Sequence, residues 1–278
     1  MNSICVNGKI VPGNEPVLAA DNRGYRYGDG LFETIKLVQG KIVLEDFHFE
    51  RLFRGLKLLK YRVPSLFTPA SLRKDIIRLA KKNGSEELAR VRLSVSRGTG
   101  GIYEDPKSLQ WLIECWPLNE SVNQLNENGL SIDIFPDAQK SCDLYSNLKS
   151  ANFLIYVMAA QYAKENKLND CLVSNTKGHL ADSTISNIFL VKNKLIITPA
   201  LPEACVNGVM RRWLIEKLKH SDFDLREGVV TKNDLEAFDE IFLTNAMGIR
   251  WVKQFRNKTY SNNLTQKIHK EFIEPLYS

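Results

Sequence analysis

Cysteine is scarce in this 278-residue chain: five residues, Cys5, Cys115, Cys142, Cys171 and Cys205, none of them in a CxxC pair. An odd, scattered set speaks against a disulfide framework and against a zinc site, so these thiols are expected to act as small, mostly buried apolar residues. The four histidines, His48, His179, His220 and His269, are equally dispersed and suggest no metal cluster. No apolar run approaches the roughly 20 residues that span a bilayer. The segment Met1 to Lys9 lacks the basic-then-apolar pattern of a signal peptide. The expectation is a cytoplasmic protein with no membrane partner. Blocks of roughly five or six like charges are missing as well. The balance of 38 basic against 32 acidic residues gives +6, which suits a small anionic ligand. Without aromatics interleaved along a basic stripe, nucleic acid is not the expected partner.

What is present is an ordinary folded composition, 44% hydrophobic and 25% charged. Residues 31–37 alternate like a half-buried strand, and 41–44 return as its hairpin partner across Gly40. Leu52, Phe53, Leu56 and Leu59 recur at helical spacing. Thr68-Pro69 reads as an N-cap and first-turn proline for a helix running to about Lys82. Val91, Leu93 and Val95 mark one face of a further strand, and an apolar strand from Trp111 to Trp116 follows. The polar stretch 118–128 reads as a linker. Beyond it, strands are expected near 130–135, 171–174, 188–191, 195–198 and 240–244, with helices over 151–165, 209–219 and after Asn263. The pattern predicts two α+β domains, residues 1–117 and 129–278, joined by 118–128 and forming a ligand cleft.

Several residues carry candidate chemistry. Asn207-Gly208-Val209-Met210-Arg211 reads as a helix start, with Asn207 as N-cap and first-turn amides that attract an anion; most capped helix starts, however, bind nothing. Arg51, one turn from His48, could fork onto phosphate oxygens or simply be a solvated helix arginine. Lys149, in Asn147-Leu148-Lys149-Ser150-Ala151-Asn152, precedes an apolar helix but is one of many lysines. Asp182, following Gly178-His179-Leu180-Ala181, could pair with a cationic ring or sit in a turn.

Their order is more informative than any one of them. Asp21-Asn22-Arg23-Gly24-Tyr25-Arg26-Tyr27-Gly28-Asp29-Gly30-Leu31-Phe32-Glu33-Thr34 resembles the N-terminal stretch of the class IV aminotransferases, the fold-type IV pyridoxal-phosphate (PLP) enzymes. His48-to-Leu52, Lys149-to-Asn152, Gly178-to-Phe189, Thr198-Pro199, Asn207-to-Arg211 and Phe242-to-Ala246 follow in that family's order over nearly the whole chain. The resemblance implies a two-domain α+β fold, like that of D-amino-acid and branched-chain aminotransferases, and a homodimer. It implies PLP held by Lys149 as a Schiff base, with Arg51, the Val209 and Met210 amides and Asn245 on the phosphate side. Asp182 falls where the family has glutamate on the pyridine nitrogen, one methylene short. Ser96-Arg97-Gly98-Thr99-Gly100-Gly101, Val206-to-Arg211 and Asn245-Ala246 look most like the 4-amino-4-deoxychorismate lyases within the family. They point to a small anionic, amino-acid-like substrate with Arg97 on one carboxylate. A transaminase and a non-catalytic PLP-binding homologue are the rival readings.

Overall fold

The computed structural model of the chain describes residues 2–104 and 109–277. The chain forms two compact units. The first takes the residues up to Glu120 together with Lys149–Asn152; the second takes Ser121–Leu148 and the chain from Phe153 onward.

The first unit contains β1 (Ser3–Val6), β2 (Lys9–Pro12), α1 (Arg23–Tyr27), β3 (Gly30–Val38), β4 (Lys41–Ile42), α2 (Glu45–Leu58), α3 (Pro69–Lys82), β5 (Leu88–Ser96) and β6 (Gln110–Pro117). Its six strands form one sheet in the order β2-β1-β6-β5-β3-β4. Helix α3 starts where its sequence says it should: the Thr68 hydroxyl accepts from Ser71 N, the Ser71 hydroxyl accepts from Thr68 N, and Pro69 opens the first turn. Leu72, Ile76 and Leu79 on α3 and Leu52 and Leu56 on α2 are buried, as are Ile35, Leu37, Val91, Leu93 and Ile113 of the sheet. Each such side chain contributes about 1.5–3 kcal/mol. Strand alternation then sorts the chemistry. Glu33 reaches His48 and Arg51 of α2, whereas Phe32, Thr34 and Lys36 lie on the other face of β3, in register with Ser94, Arg92 and Arg90 of β5.

The second unit contains β7 (Leu130–Ile134), α4 (Leu154–Glu165), β8 (Asp170–Ser174), β9 (Leu180–Ser183), β10 (Asn187–Lys192), β11 (Leu195–Pro199), α5 (Val209–Leu218), β12 (Asp224–Gly228), α6 (Lys232–Ala237), β13 (Glu240–Asn245), β14 (Gly248–Phe255), β15 (Lys258–Thr259) and α7 (Asn263–Ile268). Eight strands follow the order β12-β11-β10-β13-β14-β7-β8-β9, and β15 pairs with β14. Ile132, Leu172, Ile188, Leu243, Val252 and Phe255 belong to its core. Helix α4 lays Tyr156, Ala159 and Ala163 against Cys171 and Val173 of β8. The polar 118–128 stretch is tied down within this unit at Asn126, whose side chain accepts from Trp251 N at 2.9 Å and donates to the Trp251 carbonyl at 3.1 Å. Among the described residues, no helix is long and apolar enough to cross a membrane, and no group of three or more His, Cys, Asp or Glu is placed to hold a metal.

Candidate active site

In the first unit, Lys149 is fixed by its backbone. Phe32 N donates to the Lys149 carbonyl at 3.0 Å and Ala151 N to the Gly30 carbonyl at 2.9 Å, so residues 149–151 lie as a short antiparallel strip along β3. Two glycines make room for it. A Cβ at Gly28 would stand 2.4 Å from Asn152 Oδ1, and Gly28 also closes α1 with φ 63°, a left-handed conformation that favours glycine. A Cβ at Gly30 would stand 2.7 Å from the Val95 carbonyl oxygen. The early glycine-rich motif and the lysine motif are thus two halves of one fitted contact. The half-buried Lys149 places its Nζ 4.5 Å from the centre of the Phe32 ring.

Behind Phe32 lies a buried cluster of charge. Glu33 accepts from Arg51 Nε at 2.8 Å, from a second nitrogen of the same guanidinium, and from His48 Nδ1 at 2.6 Å. Burial pushes the Glu33 carboxyl up, but Arg51 and His48 outweigh it and hold it at about 2. Burial lowers His48 below its ordinary value, so the imidazole is neutral and donates to Glu33. Glu33 therefore orients Arg51, a role the sequence reading did not assign to it. Lys36, wholly buried, is pushed down by burial to about 7.

Arg97, the expected substrate contact, is engaged by its own chain. Its Nε donates to Asp29 Oδ2 at 2.9 Å, its terminal nitrogens reach the Leu59 carbonyl at 2.7 Å and the Lys60 carbonyl at 3.3 Å, and its guanidinium lies 4.3 Å from the Tyr61 ring centre. The arginine lining a cavity of about 220 Å³ in this unit is Arg92, alongside Phe32, Ser94, Ser96, Gln110 and Leu112. The Arg92 guanidinium lies 4.0 Å from the centre of the same Phe32 ring that Lys149 meets.

In the second unit, Asp182 belongs to β9 and is 2% exposed, so the turn reading is excluded. Oδ2 accepts from Lys140 Nζ at 2.9 Å, from the Tyr156 hydroxyl at 2.8 Å and from Val206 N at 3.0 Å; Oδ1 accepts from Asn187 Nδ2 at 2.8 Å. Burial raises the Tyr156 phenol well above its ordinary value, so it remains a donor. These four donors close around the Asp182 carboxylate.

The helix start near Asp182 differs from expectation in one respect. The N-cap of α5 is Gly208, not Asn207, and no side chain caps it. Asn207 instead donates its backbone N–H to the Asn147 carbonyl at 3.1 Å. First-turn amides have no intrahelical acceptor, so the Val209 and Met210 N–H groups are placed where an anion could meet them. Gly208 has φ −63°, which any residue tolerates, but a Cβ there would stand 2.0 Å from Asn187 Oδ1. Asn187 is in register with Thr244 on β13, and Thr244 Oγ1 is buried without a hydrogen-bond partner among the described residues. Asn245 follows, donating to Ser186 Oγ at 3.1 Å. Asn187 Nδ2 donates both to the Val206 carbonyl just before this helix and to Asp182 Oδ1, each at 2.8 Å, so amides that could meet an oxyanion, a buried hydroxyl in register with Asn187 and a carboxylate that could pair with a cationic ring occur together in this unit. This donor set fits pyridoxal phosphate.

The class IV aminotransferase family ("Amino-transferase class IV") matches residues 30–255. The chain belongs to this family of PLP-dependent enzymes. It is 30% identical over 258 residues to the aminodeoxychorismate lyase of Bacillus subtilis, covering 88% of this chain and 83% of the relative. It is 24% identical over 250 residues to the D-alanine aminotransferase of Listeria innocua, covering 87% and 83%. The crystal structure of the branched-chain aminotransferase from Thermoproteus uzoniensis with norvaline superposes with a TM-score of 0.88 at 23% identity, covering 99% of this chain and 95% of the other. The fold is the two-domain α+β fold of type IV, and the cofactor is pyridoxal 5′-phosphate.

For this cofactor, Gly208→Ala is expected to displace Asn187 and tilt the anion-binding amides. Overpacking of this kind costs about 1–3 kcal/mol, and a cofactor titration followed by absorbance is expected to show roughly tenfold weaker binding or worse. Unchanged affinity would place the phosphate elsewhere.

Proposed function

We propose that the protein is a lyase that converts 4-amino-4-deoxychorismate into 4-aminobenzoate and pyruvate, with Lys149, Arg51, Asp182, Val209, Met210 and Asn245 serving one cofactor molecule. Bound PLP supplies an electron sink for the substrate carbon next to the amine. The chain's own residues do the rest. Lys149 would hold the cofactor, and its amine, when free, would remove the proton from the substrate's amine-bearing ring carbon. The carbon–oxygen bond to the enolpyruvyl group then breaks, and the proton returns to the departing group, which leaves as pyruvate.

The observation that carries this reading is the shared Phe32 ring, with Lys149 Nζ 4.5 Å and the Arg92 guanidinium 4.0 Å from its centre. An amine held at Lys149 has an arginine, able to receive a carboxylate, at the same aromatic ring and beside a cavity large enough for a small cyclic acid. Because Arg97 is committed to Asp29 and two carbonyls, the carboxylate contact is assigned first to Arg92. Arg92→Gln is expected to lower kcat/KM about 10–100-fold, the loss of one charge-assisted hydrogen bond, mostly through KM. An effect confined to kcat would remove Arg92 from substrate binding.

The similarity to a D-alanine aminotransferase favours a second reading, transamination at the same lysine. A paired assay separates the two. PLP-loaded protein receives enzymatically generated aminodeoxychorismate in one tube, and branched-chain and D-amino acids with 2-oxoglutarate in another. Equimolar 4-aminobenzoate and pyruvate support the lyase. Glutamate without aromatic product makes the protein a transaminase. A cofactor-bound protein inactive in both would be a non-catalytic homologue.

A homodimer belongs to the same proposal. Helix α4 exposes Leu154, Val157 and Met158, an i, i+3, i+4 apolar stripe on one face. Light scattering should give twice the 31.7 kDa chain mass; the chain mass alone would refute the dimer.

A further inference from the structure

Lys140 belongs to none of the motifs, yet it is 9% exposed and sits against the carboxylate that the cofactor reading needs. Its backbone is pinned beside the end of β8: Lys140 N donates to the Ser174 carbonyl and the Lys140 carbonyl accepts from Thr176 N, both at 2.9 Å. The side chain runs inward to Asp182 Oδ2 at 2.9 Å, with the Ala204 carbonyl as a second acceptor, and its Nζ stands 5.1 Å from the Tyr156 ring centre. Lysine is almost never buried unless paired, because its ammonium must leave water. Holding Asp182 in place does not require that cost, since Tyr156, Asn187 and Val206 N already bind both of its oxygens. What Lys140 adds is a unit of positive charge.

The other ionisable groups nearby do not duplicate it. Arg211 is paired with Glu227 at 2.7 Å. The Cys205 thiol is pushed up by burial, and further by Asp182, to about 12 and stays neutral. Tyr156 stays a phenol. Lys140 and Asp182 together carry no net charge, so Asp182 attracts a cationic ring less strongly than a lone buried carboxylate would.

We propose that Lys140 is a positioning residue whose charge on Asp182 sets how firmly Asp182 holds the proton on the cofactor's pyridine nitrogen; the proposal rests on the PLP reading of Asp182. With Lys140 in place the ring nitrogen is less firmly protonated and draws electrons less strongly. Such a site is matched to a reaction that gains its driving force from the product, as the formation of an aromatic ring does, and is less suited to one that relies on the cofactor alone.

The test reads the cofactor rather than turnover. PLP labelled with nitrogen-15 in its ring is bound to wild type, Lys140→Met and Lys140→Arg, and the ring nitrogen is observed by NMR at one pH near neutrality. Lys140→Met should shift the signal toward the protonated position, and Lys140→Arg should stay with wild type. Superimposed wild-type and Lys140→Met signals would overturn the proposal. A shift of the same size in Lys140→Arg would also overturn it, since that marks packing rather than charge. Lys140→Gln keeps an uncharged donor for Asp182 and carries the same expectations if Lys140→Met does not fold. Both overturning results leave the cofactor reading intact. A wild-type sample without any bound-cofactor signal would instead defeat that reading, and this proposal with it.

Discussion

Lys149→Ala is expected to give a folded, colourless protein with its catalytic rate reduced by about 10⁴-fold or more, the upper end of what one positioned proton-transfer group supplies. The fold should survive because Lys149 is held through its backbone: the Phe32 N–H and the Ala151 N–H make the strip's two bonds to β3, and neither involves the side chain. Absorbance reads the cofactor band, circular dichroism reads the fold, and product formation reads the rate. A surviving long-wavelength band would mean that another lysine carries the cofactor. Lys36, buried on the Phe32 face of β3 and held by burial at about 7, and Lys140, buried against Asp182, would then be the first to examine.

Glu33→Gln should strongly destabilise the first unit. It removes the carboxylate from a buried ion pair and leaves the Arg51 guanidinium without its compensating charge, an effect of about 3–5 kcal/mol. The same pair makes wild-type stability depend on acid. Glu33 has its folded value at about 2 against an ordinary 4.5. Because the folded value is depressed, the stabilisation is fully present above the ordinary value and is lost as pH falls through the folded one. About 3 kcal/mol should disappear between those limits. Urea unfolding at a series of pH values measures both effects: the wild-type slope across that window should be clearly reduced in the Glu33→Gln protein. Equal slopes would show that Glu33 is not the group responsible. Arg51 should also lose its orientation in this variant, so cofactor affinity is expected to fall together with stability.

The longer elements were legible because their side chains state their own pattern. Helix α3 carries its cap and proline in Thr68-Pro69, and β5 alternates Val91, Leu93 and Val95 with polar residues. Strand β9 was not legible, because Leu180–Ser183 is buried throughout and half of it is polar. Asp182 and Ser183 look like turn residues until their partners are known. The site residues divide in the same way. Lys149 and Asp182 were marked by order along the chain, and order needs no three-dimensional contact. Lys140 and Tyr156 were invisible because their roles exist only through Asp182, which lies 42 positions from one and 26 from the other. Glu33 stood within a motif, but its function required seeing that an odd-numbered β3 residue faces α2. Arg92 could have been suspected from strand alternation, since it shares a face with Phe32 across the β3–β5 register. The N-cap was misplaced by one residue because asparagine is a strong capping residue and glycine a weaker signal. The glycine is required there by its close approach to Asn187, a contact that capping preference does not reveal.

The central claim, that Lys149 holds the cofactor, has a direct chemical test. Borohydride reduction of the PLP-loaded protein makes the lysine–cofactor bond permanent, and peptide mapping by mass spectrometry then locates it. The phosphopyridoxyl group is expected on Lys149, in stoichiometric amount. A modified Lys36, Lys140 or any other lysine, with Lys149 untouched, would contradict the account.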